Sequence, residues 1–186
     1  NQLILSGVAG AADPQLKVGD IVIAETLLQH DMDASPLFPR FEIPLTGKSR
    51  FFVQQDLHMA LQNATDQFIK TMHQHFSASL ITEFQLQDVK SHAGLIASGD
   101  QFIHDSKVLK ELKQALPDLL AVEMEGAAIA QVCDEHDLAF AILRTISDSA
   151  DETAHVDFLS FVKNVAAPYT LEILRNYFEN RKILVD

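Results

Sequence analysis

Apolar residues follow two different periods along this chain, and the switching between them predicts strands alternating with helices. Short apolar runs bounded by turn residues predict strands at Leu3-Ile4-Leu5, Ile21 to Leu28, Val89 to Ser98, Leu119 to Glu123 and Ala139 to Thr145. Apolar positions at helical spacing, Leu57, Ala60, Leu61, Ala64, Phe68 and Met72, predict a helix capped by Asp56 and running to about His75. Lys107 to Leu116 predicts a short helix stopped before Pro117, and Glu125 to His136 another. Phe158, Phe161, Val165, Leu171, Leu174 and Phe178 predict a final helix capped by Asp157. Ser6 to Ala12 reads as a loop of small residues. Gln29 to Pro44, with its three prolines, reads as a long loop of the kind that often carries function. No repeat, low-complexity tract or linker interrupts the pattern, so residues 1–186 read as a single domain. Strands alternating with helices give an α/β fold, and the Ile21 to Leu28 strand with its long loop suggests a mixed sheet.

Composition narrows the function classes. A chain of 186 residues with 47% apolar content can bury a core, which argues against disorder. The net charge of −12, from 26 acidic and 14 basic residues, would repel nucleic acid and anionic membranes, so neither is expected as a partner. The single Cys133 excludes an intrachain disulfide framework and points to a reducing, cytoplasmic setting. Its apolar helical surroundings make it a packed thiol rather than a nucleophile. No apolar run approaches the roughly 20 residues of a membrane helix. The first residues lack a basic region and cleavage site. Asn1 to Ser6 begins as a strand already under way, without an initiator Met, so a preceding N-terminal portion is expected.

The candidate chemistry gathers where apolar strands end in charge, because the carboxyl ends of strands in an open α/β sheet border a crevice. Asp148, between Ser147 and Ser149, can act as a general acid toward a ring nitrogen, or simply cap a turn. Glu125 can accept hydrogen bonds from two adjacent sugar hydroxyls, or complement a helix dipole. Glu123 shares its face if the strand persists. Met124 offers either a soft contact to a sugar or core packing. Arg144 ends an apolar strand and needs a partner: Glu125, a water or an anion. Phe102 is either a stacking platform or a core residue. The Ser6 to Ala12 segment allows close backbone approach, yet Gly7 and Gly10 do not make a dinucleotide fingerprint. His30-Asp31-Met32-Asp33 fits no standard metal cluster, so Asp31 and Asp33 read as turn formers or interface groups and no metal is expected.

Five segments together resemble the 5′-methylthioadenosine/S-adenosylhomocysteine nucleosidases of the purine nucleoside phosphorylase-like family. They are Ser6 to Ala24, Gln29 to Phe41, Ala97 to Ile103, Ala121 to Cys133 and Leu143 to Asp151, in family order. The resemblance implies a three-layer αβα fold around a central mixed sheet, phosphorylase/hydrolase-like, without its first strands. It implies hydrolysis of the N-glycosidic bond of an adenine thionucleoside, releasing adenine, without a cofactor. It implies that Asp148 protonates the purine with Ser147 in support. Glu125 and Met124 would hold the ribose, Arg144 would help place the water, Phe102 would stack on adenine and Ile103 would bind its edge through the backbone. It also implies a homodimer, with Phe38, in the loop that holds Leu37 and Pro44, near the partner's site.

Two departures accompany the resemblance. Val8 stands where many family members have a serine near the attacking water. The family's water-activating glutamate falls upstream of Asn1, so hydrolysis by residues 1–186 alone is expected to be severely impaired and the natural protein to be longer. Three other readings compete: an aminofutalosine nucleosidase of menaquinone synthesis, a phosphate-dependent nucleoside phosphorylase, and a non-catalytic fragment that binds adenine or merely folds.

Overall fold

The computed structural model describes residues 1–148 and 158–182. Its strands are β1 (Gln2–Ala11), β2 (Ile21–Gln29), β3 (Phe51–Phe52), β4 (Ser91–Ser98), β5 (Leu119–Glu123) and β6 (Ala139–Asp148). Its helices are α1 (Gln55–His75), α2 (Ala78–Glu83), α3 (Ser106–Ala115), α4 (Gly126–Glu135), α5 (Phe158–Phe161) and α6 (Ala167–Lys182), with a π turn at Val162–Ala166 joining the last two. The strands form one sheet in the order β3-β2-β4-β5-β1-β6. Strands β2, β4 and β5 run parallel, as do β1 and β6. The two groups meet antiparallel where Gly10 and Ala11 face Val122 and Ala121, and where Ile21 to Ile23 face Thr145 to Leu143. The sheet is mixed, as expected.

Helices cover the sheet on both sides, which explains why its central strands are apolar throughout rather than alternating. On β2, Ile21 and Ile23 point into a cluster with α1 and α6, while Val22 and Ala24 point into a cluster under α4. On β6, Leu143 and Ile142 divide in the same way. Leu112 and Leu116, in and just after α3, cover a third cluster with Leu95, Ala97 and Leu119. Cys133 is buried on the inner face of α4, and burial pushes its thiol pKa up, in keeping with a packed, unreactive role.

Several expectations need correction. Ser6 to Ala11 is strand, not loop: β1 continues in parallel register with β6 as far as Gly10 opposite Asp148. Strand β6 likewise continues past Thr145 to Asp148. Asp56 does not cap α1; Gln54 occupies the cap without a side-chain bond, and its Oε1 accepts the Phe140 N–H at 2.9 Å. The buried stripe of the last helix is Phe161, Val165, Tyr169, Ile173 and Tyr177, whereas Phe158, Leu171 and Phe178 are exposed. The buried set recurs at every fourth residue through the π turn, and Phe158, Leu171 and Phe178 fall outside that step. Asp157, expected to cap that helix, lies outside the described residues. Helix α2, without a buried residue, and the two-residue β3 gave no periodic signal.

Candidate active site

Every side chain that ends a strand in charge lies along one border of the sheet. Glu123 is the last residue of β5, Asp148 the last of β6, and Glu125 immediately precedes α4. Together with Phe102, Met124, Arg144 and Ser147 they line one cleft of ≈ 430 Å³, floored by Ser6 to Gly10 of β1. That volume suits a ligand of nucleoside size. A narrower recess at one side of the cleft is lined by Gln101, Phe102, Ile103, Glu123, Met124 and Asp148 but not by Glu125 or Arg144. The cleft therefore has an aromatic end beside Asp148 and a charged end beside Glu125.

Asp148 is buried, at 8% exposure, and Ser147 Oγ donates to its Oδ2 at 2.7 Å. Ser147 Oγ also reaches the Ala9 carbonyl at 3.4 Å. Phe102 is 62% exposed and stacks on His104, with 6.3 Å between ring centroids; it is not a core residue. Met124 is exposed in the cleft rather than packed in the core, and Ile103 is buried beside it. Val8 contributes a half-buried apolar wall. Phe38 is half-buried in the loop after β2 and does not line the cleft of its own chain.

The two glutamates differ sharply. Glu123 is enclosed: it accepts from Ser98 Oγ and from Arg144 Nη2, and both its oxygens accept the Gly126 N–H at 3.0 Å. Glu125 has its side chain 64% exposed, and Arg144 Nη2 approaches it at 3.3 Å. Arg144 itself is 3% exposed, and its Nε–H has no hydrogen-bond partner among the described residues. Its guanidinium crosses β1 over Gly7, where a Cβ would lie 2.0 Å from Nη1. A Gly7→Ala variant must push the guanidinium off Glu123, which is expected to cost about 1–3 kcal/mol of stability. A melting temperature equal to that of the parent protein would contradict this packing.

The sequence reading singled out neither Ser98 nor Phe158. Ser98 is buried at the end of β4, and Phe158 lines the cleft from the start of α5. Ser98 had a usable signal, a polar residue closing an apolar run, the same signal that marked Glu123 and Arg144. Phe158 is legible only once the last helix is seen to turn that residue away from the core.

Asp33 acts as a turn former, its carboxylate accepting the Ser35 N–H at 3.0 Å, whereas Asp31 ties in the distant loop after β4 by accepting the Asp100 N–H at 2.7 Å. His30 beside them is 6% exposed, and its Nε2 has no partner among the described residues. Burial lowers its pKa, against the opposing pull of Asp31 and Glu123. The unfolded chain therefore binds this proton more readily than the folded one. The stability that neutral His30 contributes is present above the unfolded value of about 6.5 and is lost as pH falls below it. Melting temperatures at pH 7.5 and 5.5 are expected to differ less in His30→Gln than in the parent; equal slopes would contradict the assignment. Among the described residues no group of three or more histidine, cysteine or acidic side chains is arranged to hold a metal, and no helix is long and apolar enough to cross a membrane.

Residues 1–179 match the model of the Phosphorylase superfamily. The chain belongs to that superfamily. Among its members, the 5′-methylthioadenosine/S-adenosylhomocysteine nucleosidase of Anoxybacillus flavithermus is 33% identical over 165 residues, covering 88% of this chain and 63% of the relative. The chain thus spans less than two thirds of the length of such curated relatives. The crystal structure of the Neisseria meningitidis nucleosidase of the same name, in complex with methylthio-immucillin-A, superposes with a TM-score of 0.79 at 32% identity, covering 96% of this chain and 69% of that one. The native structure of futalosine hydrolase from Helicobacter pylori superposes with a TM-score of 0.74 at 30% identity, covering 96% of this chain and 68% of that one. These superfamily likenesses agree with the α/β fold and its mixed sheet.

Proposed function

We propose that the protein hydrolyses the N-glycosidic bond of 5′-methylthioadenosine and S-adenosylhomocysteine, releasing adenine and the thioribose product. The observation that carries this reading is one cleft with a buried acid beside an exposed aromatic ring at one end and an exposed carboxylate at the other. Adenine stacks on Phe102, with its edge against the Ile103 backbone. Asp148, held by Ser147, donates a proton to a purine nitrogen, so the base leaves as a neutral molecule. Glu125 accepts the ribose hydroxyls while Met124 meets the sugar face. As the bond breaks, positive charge develops on the sugar, and the Glu125 carboxylate stabilises it. Water then adds to the anomeric carbon and gives up a proton to solvent, with the Arg144 guanidinium at the charged end of the cleft to orient it.

The similar nucleosidases support the substrate class, and the similar futalosine hydrolase supports aminofutalosine as a second reading, since adenine and ribose are common to both substrates. A homodimer in which Phe38 approaches the partner's cleft agrees with its place outside its own. The lone buried Cys133 suits the cytoplasm. Adenine release measured in phosphate-free buffer with each of the three nucleosides tests the proposal. Turnover of the thionucleosides supports it, and preferential turnover of aminofutalosine selects the second reading. A strict requirement for phosphate would replace hydrolysis by phosphorolysis.

A further inference from the structure

We propose that Glu123 is a positioning residue: by holding Arg144 it leaves Glu125 free for the vicinal hydroxyls of the ligand. The inference rests on the adenine-nucleoside reading above and deepens it. An ionised carboxylate offers about four acceptor positions. Those of Glu123 are taken by Ser98 Oγ–H, Arg144 Nη2–H, the Gly126 N–H and, at 3.3 Å, the Glu125 N–H. With its side chain 2% exposed, Glu123 has nothing left for a ligand, although it borders the cleft. Glu125 is in the opposite condition. Its only ion-pair contact among the described residues is Arg144 Nη2 at 3.3 Å, longer than the usual charge-assisted bond, and most of its side chain faces open space.

Arg144 carries one charge between these two carboxylates. Because it is buried, that charge must be compensated. Glu123 supplies the compensation, fixed in direction from two sides. Ser98 commits its proton to Glu123 while accepting the Ala127 N–H at 2.7 Å, and the start of α4 donates through Gly126. Remove the charge of Glu123, and Glu125 becomes the only carboxylate among the described residues that is paired with the guanidinium. It is then drawn into a full ion pair and away from the sugar.

Calorimetric titration separates this role from a structural one. The probes are adenine, a 7-deazaadenine ribonucleoside that resists cleavage, and the 2′,3′-dideoxy form of that nucleoside. The parent protein is expected to prefer the ribonucleoside over its dideoxy form. In Glu123→Gln that preference falls about ten- to hundredfold, the worth of charged hydrogen bonds to the hydroxyls, while adenine affinity stays unchanged. Adding Arg144→Gln removes the captor and returns most of the preference, a coupling that simple loss of structure does not produce. Ser98→Ala, which leaves both charges in place, is expected to give a smaller loss in the same direction and carries the comparison if Glu123→Gln does not fold. An undiminished preference in Glu123→Gln overturns the inference, as does a parallel loss of adenine affinity. A parent protein that binds none of the probes overturns the nucleoside reading itself, and this inference with it.

Discussion

Asp148→Asn lowers adenine release by about a hundred- to ten-thousandfold, the usual contribution of a positioned proton donor. The substitution keeps the size and shape of the side chain. Ser147 Oγ can still donate to the amide oxygen as it does to Oδ2 at 2.7 Å, so the recess beside Phe102 keeps its form. An amide, however, cannot transfer a proton to the purine, and the base must then leave as an anion. The variant is expected to melt like the parent and to bind adenine with little change, with the loss confined to turnover. Single-turnover measurement of adenine release checks it, beside a thermal melt. Activity within a few fold of the parent would remove Asp148 from the mechanism.

Phe68→Ala costs about 3–5 kcal/mol of stability, as expected for truncating a large buried aromatic. Phe68 is fully buried on α1 and meets Tyr169 of α6 with 4.7 Å between ring centroids, and Phe76 edge-on at 6.3 Å. The three rings form much of the contact between α1 and α6, on the side of the sheet that Ile21 and Ile23 face. Against a typical total stability of about 5–15 kcal/mol, such a loss brings the protein near its unfolding threshold. Phe178→Ala is the matched control. Phe178 is 54% exposed, so its removal is expected to change stability by no more than about 0.5 kcal/mol. Urea unfolding of the two variants decides the matter, and equal midpoints would refute the packing of this helix.

Much of the site was legible because its residues interrupt apolar runs. Glu123, Arg144 and Asp148 each break a stretch of strand, and the cleft contains all three. Met124 and Phe102 were ambiguous between core and ligand contact, since an apolar side chain looks alike in both settings. Their exposure beside Asp148 separates the two. Ser6 to Ala11 misled for a related reason. Glycine and alanine carry little strand propensity, and only pairing with β6 makes them a strand. The last helix misled through size, because Leu171 and Phe178 attract attention as apolar residues while the buried face is drawn by Tyr169 and Tyr177.

The sequence by itself determined the alternation of strands and helices, the α/β class and the residues at which strands give way to charge. These follow from periodicity and turn chemistry within a few neighbouring residues, and no distant contact is needed to read them. Tertiary structure alone decided which carboxylate is enclosed and which is free. Arg144 and Glu123 lie 21 positions apart on β6 and β5, and they meet across β1, where Gly7 leaves room for the guanidinium. Two glutamates two positions apart are chemically identical in the sequence. The turn from β5 into α4 buries one against Ser98 and leaves the other facing the cleft.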